Sequence, residues 1–305
     1  MTARTVAIIG AGRVGCSVGY LLKQGGYRVT GVAARSAASA AQAASFIGQG
    51  QPTTDAAQAA SGAELVFITT PDRVIQQVCE TLAASGALGP ASVVIHMSGA
   101  HSLGLLSAAV KAGALRAVLH PLQSLASREQ GVKTLPGSYF RVEADPMARE
   151  TARSLVTALG GTELVMPEWS SDQDSAALYH AGAVAVSNYF VALVRYGLKF
   201  YQALGADKQE ALKAVLPLIK GTLLNIEALG IPDALTGPIM RGDSETVRGH
   251  LAAMRRKAPH LAGLYKELAR ETVEVARDKG SIDGKKAEEL LKLLTNAECG
   301  VRIPE

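Results

Sequence analysis

The sequence predicts a doubly wound α/β domain followed by an all-α domain. Along the first part of the chain, short apolar runs of strand character alternate with amphipathic helical stretches, a pattern typical of a parallel sheet covered by helices on both faces. Beyond Pro167, apolar residues recur only at helical spacing. A chain of 305 residues is long enough for two domains of roughly 100 to 200 residues each. We therefore predict a first domain over residues 1–167 and a second over 168–305.

The elements of the first domain follow one another in regular alternation. After a first strand that begins at Thr5, strands are predicted at residues 28–33, 64–69, 92–96, 115–119, 138–143 and 163–166, and a short strand near Gln51 is poorly marked. Helices are predicted at residues 14–22, 37–44, 72–84, 102–111 and 146–159. The Ala and Ser tract at 37–44 is read as a surface helix, because alanine has the highest helix propensity.

The second domain is predicted to consist of helices alone. They are expected at residues 177–201, 208–229, 246–256, 261–277 and 285–294, with Gly and Pro breaks between them. Residues 175–194 carry no formal charge and are about long enough to cross a bilayer. Because this stretch contains polar residues such as His180 and Asn188, we expect a buried helix of the helical domain and no membrane span.

Three glycines after the first strand form the most specific motif of the chain. Gly10 permits a tight turn out of the strand, Gly12 lets a ligand approach the backbone, and Gly15 lets the following helix pack closely. Free N–H groups at the helix start, around Arg13 and Val14, then face an anion. We predict a dinucleotide site on a Rossmann-type sheet, and the competing interpretation is a merely tight strand-to-helix turn.

The end of the second strand indicates which dinucleotide is bound. An NAD site usually has an Asp or Glu about 20 residues beyond the glycines, but no carboxylate occurs between Gly25 and Thr54. Arg35 can instead pair with a 2′-phosphate, and Ser36 can donate a hydrogen bond to it. We therefore predict NADP as the cofactor. Capping of the next helix by Ser36 is compatible with this role, and a solvated Arg35 is the alternative.

Composition restricts the possible partners. The formal net charge is +4 and only 5% of the residues are aromatic, so a nucleic-acid surface is not expected. A small anionic ligand is enough to explain the modest excess of positive charge. The three cysteines, Cys16, Cys79 and Cys299, lack the spacing of a disulfide framework or zinc site, and no metal is predicted. We expect a cytoplasmic protein, with no leader before the first strand and no membrane attachment.

Polar residues follow three of the predicted sheet strands at their carboxyl ends, where open α/β sheets bind ligands. Thr70, Pro71 and Asp72 follow one strand, Ser98 with Gly99 follows the next, and His120 with Pro121 follows a third. We assign the first two groups to the cofactor site and Ser98 also to catalysis. Turns and helix caps explain the same residues without function. His96 lies nearer the strand interior and is expected to be a core histidine.

Two further motifs lie in the helical part. His180 and Ser187 are seven residues apart, about two turns, so one continuous helix would place them on one face with Asn188 beside it. His180 could protonate an alkoxide and Asn188 could orient a carbonyl, or the set could be buried polar residues that fix helix packing.

The segment LTGPIMRGD, residues 235–243, combines turn and cap residues with one unexplained arginine. Gly237 and Pro238 set a turn and Asp243 can cap the next helix. Arg241 offers a bidentate fork to a substrate carboxylate, or forms an interdomain ion pair.

The motifs HMSGAHS, HPLQS, Tyr179–His180 with Ser187 and Asn188, and LTGPIMRGD together resemble a family that joins a Rossmann-like domain to a C-terminal domain of unknown function. The arrangement is also similar to the 6-phosphogluconate dehydrogenase-like superfamily, including ketopantoate reductase and deazaflavin-dependent NADP reductases. That resemblance implies that the 70–72 loop lies beneath the nicotinamide ribose and that the helical domain forms a homodimer. These relatives place a lysine on the helix where this chain has none between Trp169 and Tyr196, which leaves His180, His120 and Tyr179 as candidate acids, with His180 first.

The function expected from these residues is NADP-dependent reduction of a small 2-oxo acid, with ketopantoate-like substrates as candidates. The site would lie between the domains, with a small anionic substrate and no nucleic acid or membrane involved. A regulatory protein that senses NADP without catalysis is the alternative, and hydride exchange with a deazaflavin-like cofactor is a third hypothesis. Fold alone does not decide among them.

Overall fold

The computed structural model describes residues 4–295, which divide into two compact units, Met1–Asn188 and Tyr189–Glu305. The division falls beyond the sequence-based position at residue 167 because the first helix after it packs with the first unit. Within that unit, the Gln173 side chain donates to the Ala100 carbonyl (2.7 Å) and the Tyr179 hydroxyl meets His120.

The first unit contains one eight-stranded sheet in the order β3-β2-β1-β4-β5-β6-β7-β8. The strands are β1 (Thr5–Ile9), β2 (Arg28–Ala33), β3 (Gln51–Thr53), β4 (Leu65–Ile68), β5 (Val93–His96), β6 (Leu115–Pro121), β7 (Tyr139–Ala144) and β8 (Thr162–Glu163). All neighbouring strands are parallel except β6 and β7, which are antiparallel. The doubly wound α/β prediction is confirmed, and the antiparallel pair is an addition that the strand pattern did not predict.

Helices cover both faces of the sheet. They are α1 (Arg13–Gln24), α2 (Ala37–Ile47), α3 (Ala56–Ala60), α4 (Asp72–Ala84), α5 (Ser107–Lys111), α6 (Arg128–Thr134) and α7 (Arg149–Ala158), and α8 (Gln173–Val186) contacts residues at the carboxyl edge. Two predicted helices begin as 3₁₀ turns, Leu103–Leu106 before α5 and Pro146–Ala148 before α7. The short helices α3 and α6 lie in stretches that the sequence pattern left unassigned.

Alternating strand residues divide the core of this unit into two layers. Ile8 and Phe67 belong to the layer beneath α1, α2 and α7, whereas Ile9 and Ile68 belong to the layer beneath α3, α4 and α5. These strands are buried on both faces, as expected for central strands of a parallel sheet. The sheet therefore forms a rigid support for the loops at its carboxyl edge.

The second unit is helical throughout its described part, as predicted. Its helices are α9 (Asn188–Gln202), α10 (Lys208–Leu229), α11 (Ser244–Lys257), α12 (Ala262–Asp278) and α13 (Gly284–Thr295), with a 3₁₀ turn at Pro259–Leu261. A core that includes Val247, Leu251, Val273 and Leu290 joins α11, α12 and α13. Helix α10 is different, because Ala211 is the one residue buried along its length.

The uncharged stretch around α8 and α9 departs from its prediction in two ways. The helix is interrupted at Ser187, so residues 177–201 do not form one continuous helix. The expectation of burial is wrong as well: Gln173–Gln202 contains the one described segment that is apolar and long enough to cross a membrane (mean hydropathy 1.4), and none of that window is buried. Its apolar side chains face outward, and length and composition alone are weak evidence for a span.

Candidate active site

The glycine loop has the geometry that its spacing predicts. Gly10 has φ +110° and lies so close to β4 that a Cβ atom would stand 2.7 Å from the Thr69 carbonyl carbon. A Cβ on Gly15 would stand 2.3 Å from the Gly10 oxygen, so α1 packs directly on the turn. Gly12 is the N-cap of α1, has no side-chain cap, and its missing Cβ would meet nothing within 4 Å. The helix N-terminus at Arg13 and Val14 is therefore open to an anion, as a dinucleotide requires.

The end of β2 lies beside this loop. The Gly10 N–H donates to the Ala33 carbonyl (2.9 Å), which brings the last residue of β2 next to the glycine turn. Arg35 and Ser36 follow and are both exposed. The predicted cap is confirmed, since Ser36 Oγ accepts from the Ser39 N–H at 3.2 Å. Within residues 4–295 no carboxylate contacts Arg35, so its guanidinium is available to a ligand phosphate.

The ends of β4 and β5 are joined by a hydrogen bond. Pro71 is the N-cap of α4 and Asp72 is its first residue. Ser98 Oγ donates to Asp72 Oδ2 at 2.8 Å, and Thr70 Oγ1 is buried without a partner. These sequence-predicted residues thus form one continuous polar edge beside the glycine loop.

His96 is a structural histidine, as expected. It is fully buried, its Nδ1 accepts from the Ser98 N–H (3.1 Å), and its Nε2 lies 3.0 Å from the Ser102 carbonyl. Burial lowers the pKa of His96 to about 4, so the ring is neutral at pH 7. Both nitrogens are used in holding the loop after β5.

A buried arginine that the sequence reading did not select lies beneath the same loop. Arg141 of β7 is 1% exposed and pairs across the antiparallel ladder with His120 of β6. Its Nη2 donates to the carbonyls of Ser98 (3.1 Å) and His101 (2.6 Å). The Arg141 side chain therefore fixes both ends of the 98–101 segment.

The environment of Arg141 is aromatic and only partly neutralised. Its guanidinium lies 4.8 Å from the Trp169 ring and 5.4 Å from the Tyr179 ring, within the range of cation–π attraction. The nearest carboxylate, Glu143, is 3% exposed and 4.0 Å away. Burial lowers the pKa of Arg141 and raises that of Glu143, in each case opposing the charged form.

Tyr179 of α8 joins His120 to this cluster. The Tyr179 hydroxyl is 2.9 Å from His120 Nδ1, and the two rings meet edge to face. Burial lowers the pKa of His120 to about 3, and the positive charge of Arg141 adds to the effect. Burial likewise raises the pKa of Tyr179 to about 12. Both groups are accordingly neutral at pH 7.

Two imidazoles converge above Gly99. A Cβ on Gly99 would stand 2.7 Å from His120 Nε2 and 2.8 Å from His180 Nδ1, so no side chain fits at that position. The two rings are 6.1 Å apart between centroids. Since His180 Nδ1 is buried without a partner, the cluster presents unpaired hydrogen-bonding capacity at the carboxyl edge of the sheet.

The other predicted catalytic residues make none of the described contacts of this cluster. Ser187 is the C-cap of α8, where its N–H still donates to the Ala183 carbonyl (3.1 Å), and the helix is interrupted there before Asn188. Asn188 begins α9 and is exposed. Arg241 belongs to the second unit, where it is exposed in the turn before α11. The predicted cap of that helix is confirmed, since Asp243 Oδ1 accepts from the Thr246 N–H at 3.0 Å.

Two known families match consecutive parts of the chain. Residues 2–121 match the Rossmann-like domain, and residues 138–272 match the domain of unknown function DUF2520. The chain pairs a Rossmann-like domain with a DUF2520 domain. Ser98 and His120 come from the Rossmann-like match, whereas Arg141, Tyr179 and His180 come from the DUF2520 match. The cluster is thus assembled from both families within the first unit.

Solved structures share this fold over most of their length. Protein TM1727 from Thermotoga maritima is 27% identical with a TM-score of 0.69, covering 90% of this chain and 100% of its own. The "putative NADP oxidoreductase BF3122" from Bacteroides fragilis is 20% identical with a TM-score of 0.69, covering 90% and 99%. A pyrroline-5-carboxylate reductase from Coxiella burnetii is 17% identical with a TM-score of 0.58, covering 95% and 99%. No curated protein matches the chain.

Arg141, Glu143 and Trp169 were missed because their importance depends on the sheet. Within YFRVEA, the two charges alternate with Phe140 and Val142 in a strand that is otherwise buried. The signal in the sequence was a pair of charged residues, Arg141 and Glu143, at alternate positions of an otherwise apolar strand. Charged side chains are rarely buried unless they have a specific partner or role. Their partners follow only from the antiparallel pairing of β7 with β6.

Proposed function

We propose that the chain is an NADP(H)-dependent oxidoreductase that reduces the carbonyl of a small 2-oxo acid, with ketopantoate-like acids as candidate substrates. The observation that carries the proposal is the placement of an open glycine loop and the Arg141–Tyr179–His120–His180 cluster along one edge of one sheet. Ligands of open α/β sheets bind at this edge.

The residues at the edge fit NADP. Gly10 and Gly15 close the turn by contacts that no Cβ would permit, while Gly12 stays open. Arg35 and Ser36 would hold the 2′-phosphate, and Thr70, Pro71, Asp72 and Ser98 would lie along the remainder of the cofactor. The Bacteroides fragilis protein, described as a "putative NADP oxidoreductase", supports this choice through the shared fold. When bound, the reduced cofactor supplies a hydride.

The charge around the cluster favours a carbonyl. Reduction of a carbonyl places negative charge on its oxygen, which neutral or positive hydrogen-bond donors stabilise. Arg141 exerts the largest charge effect on His120, and no carboxylate is among the groups that shift the pKa of that ring. Such surroundings stabilise an alkoxide and disfavour a cationic iminium. The proton would come from His180, our first candidate, or from solvent.

Arg241 and Asn188 remain part of the proposal as substrate ligands. Among residues 4–295, no hydrogen bond or ion pair engages the Arg241 guanidinium, so it is available to a substrate carboxylate. Asn188 is exposed and can donate or accept at a carbonyl. Loss of turnover without loss of NADPH binding in Arg241→Ala would support the carboxylate role.

We also propose that the chain forms a homodimer through its helical part. Large apolar side chains along α9 and α10 are exposed, including Val191 at 70%, Leu218 at 68% and Leu224 at 62%. A cavity of about 490 Å³, lined mainly by apolar residues of α9, α11 and α12, opens in the same unit. Apolar surface of this extent marks an interaction site, and twofold homodimers are the commonest assembly.

A reducing compartment is proposed as the location, which makes the cytoplasm the natural site. Cys16 and Cys79 are buried free thiols, and Cys299 lies outside the described residues. Burial raises the pKa of both described thiols, so they are unreactive. Recovery of both thiols in the reduced form from protein purified without reductant would be consistent with a reducing compartment.

The decisive experiment follows NADPH oxidation by the full chain with a panel of 2-oxo acids. We expect turnover with at least one acid, lost in His120→Ala and His180→Ala while both variants still bind NADPH. The matched control is His260→Ala in the second unit. Tight NADPH binding without turnover of any panel member would instead support the NADP sensor.

One observation supports a second candidate, reduction of a C=N bond. The Coxiella burnetii neighbour is a pyrroline-5-carboxylate reductase, whose named substrate is a cyclic imine that carries a carboxylate. Cyclic imines should therefore form a second arm of the panel. Turnover of imines without turnover of any 2-oxo acid would overturn the carbonyl proposal and retain the oxidoreductase.

A further inference from the structure

We propose that His120 acts in this reaction as a neutral hydrogen-bond donor through Nε2–H, held in that tautomer by the hydroxyl of Tyr179, and is not the proton donor. The inference rests on the proposed carbonyl reduction and assigns the charge-stabilising role within it. It also gives different roles to two histidines that the sequence offered as alternative acids, with His180 first.

The hydrogen bond to Tyr179 sets the tautomer. A phenol is a good donor and a neutral imidazole nitrogen a good acceptor, so the 2.9 Å contact places the proton on Tyr179 and the lone pair on His120 Nδ1. The proton of the neutral ring then resides on Nε2. A positive charge above the Tyr179 ring, from Arg141 at 5.4 Å, strengthens the phenol as a donor.

The other nitrogen is free to act on a ligand. His120 Nε2 makes no hydrogen bond to a described residue and is not among the fully buried unpaired atoms, so it remains reachable. It points toward Gly99, at the end of β5, where a side chain would collide with it. Because Gly99 has no side chain, no Cβ occupies the space next to this nitrogen.

Besides Tyr179, the charged or titratable groups that affect His120 are Arg141, His180 and His96, and no carboxylate is among them. Arg141 lies beside it on β7, His180 faces it from α8 at 6.1 Å between ring centroids, and His96 lies on the adjacent strand β5. Burial disfavours an imidazolium most strongly, and the positive charge of Arg141 adds to the penalty. The ring therefore cannot serve as a store of a transferable proton at neutral pH.

The balance of the reaction is compatible with this division of roles. Hydride adds to the carbonyl carbon, the C=O π bond breaks, and the electron pair moves to oxygen. His120 Nε2–H donates a hydrogen bond to that oxygen without transferring its proton. The proton that completes the alcohol comes from His180 or water. A neutral histidine used in this way stabilises the charge without requiring reprotonation of its own ring.

Nitrogen NMR of the full chain, labelled with ¹⁵N-histidine, tests the tautomer directly. The six histidines are assigned by single His→Gln variants. We expect His120 to show an Nε2–H, Nδ1-acceptor pattern that persists from pH 8 to pH 5, in free and NADPH-bound protein alike. In Tyr179→Phe the signals should move toward a tautomer mixture, whereas Tyr139→Phe, at an exposed tyrosine, should leave them unchanged. An Nδ1–H tautomer or an imidazolium at pH 6 would overturn the proposal.

Kinetics supply the second readout. Removing one donor to the developing oxyanion should lower kcat about 100- to 1,000-fold in His120→Ala. His120→Gln, whose amide is a neutral donor, should recover at least tenfold of that loss, which a proton donor would not permit. Equal losses in the two variants, with both folded and able to bind NADPH, would contradict the assigned role.

The two failures are distinguishable. An absence of turnover with every substrate overturns the proposed reduction and, with it, the catalytic role of His120, whatever the NMR shows. Turnover of a 2-oxo acid together with an Nδ1–H tautomer overturns the role of His120 and leaves the reductase standing.

Discussion

The two units of the chain differ in the kind of group that lacks a partner. The unpaired buried polar atoms of the described residues belong to the first unit, on Thr70, Arg141, Glu143, Trp169 and His180. Most of the large apolar side chains that are exposed belong instead to the second unit, chiefly along α9 and α10. Unpaired polar atoms require a polar ligand or water, whereas exposed apolar area requires an apolar partner. The contrast supports the proposed polar ligand site in the first unit and the proposed homodimer contact in the second.

Charging the exposed face of α10 should have the largest effect on the second unit. Leu218→Glu combined with Leu224→Glu would place two carboxylates within the proposed interface, so we expect a particle of twice the chain mass to become a single chain. Analytical ultracentrifugation measures this change. Val110→Glu on α5 is the matched control at a similarly exposed apolar residue of the first unit. A wild-type particle of single-chain mass would contradict the homodimer.

Removing the charge of Arg141 should produce the largest loss of stability in the first unit. Arg141→Met leaves Glu143 buried without a cation and two loop carbonyls without a donor, so we expect a loss of about 3 to 5 kcal/mol in the free energy of unfolding. Arg141→Met with Glu143→Gln should recover part of it. Urea denaturation measures both variants.

The control for this prediction is Arg116→Met, which breaks a less buried pair with Asp145. We expect it to cost about 1 kcal/mol. Equal losses in the free energy of unfolding for Arg141→Met and Arg116→Met would show that burial does not increase the contribution of Arg141 to stability.

Glycine substitutions separate folding from cofactor binding in the loop. Gly15→Ala should cost about 1 to 3 kcal/mol of stability, because its Cβ would overlap the Gly10 oxygen. Gly12→Ala should leave stability within about 0.5 kcal/mol, since that position is open, yet weaken NADPH binding because the methyl occupies the approach to the backbone. Unchanged NADPH affinity in Gly12→Ala would argue against a cofactor at this loop.

The depressed pKa of His120 predicts a pH-dependent stability. Its pKa is about 3 in the folded chain, against 6.5 for an ordinary histidine. Below pH 6.5 the unfolded chain therefore binds a proton that the folded chain does not bind, and the stability falls as the pH is lowered. Between pH 6 and pH 4 this group should contribute a loss of about 1.4 kcal/mol per pH unit. His120→Gln should lack that share of the slope in denaturation measured at both pH values. Equal slopes in wild type and variant would contradict the neutral buried ring.

Local chemistry made much of the fold and cofactor loop predictable. The roles of Gly10, Gly12 and Gly15 depend on neighbours within one turn, and the caps at Ser36 and Asp243 depend on backbone three residues away. The break at Ser187 was not predictable in this way, because neither Gly nor Pro marks it.

The polar cluster depended on distant pairing. Arg141 reaches Ser98 and His101 through an antiparallel partner strand, and Tyr179 reaches His120 from a helix that follows the sheet. Sequence reading found the two histidines by motif but placed His180 with Ser187 and Asn188 on an uninterrupted helix. The structure interrupts that helix after Ser187 and brings His180 next to His120 and Gly99.

The central claim is that the edge of the first unit holds NADP(H), and calorimetric titration of the full chain with NADPH and NADH tests it most directly. Pairing of Arg35 with the 2′-phosphate should make NADPH bind about 10- to 100-fold more tightly than NADH, and Arg35→Asp should abolish that preference. Equal or tighter binding of NADH by the wild-type chain, or no binding of either nucleotide, would contradict the account.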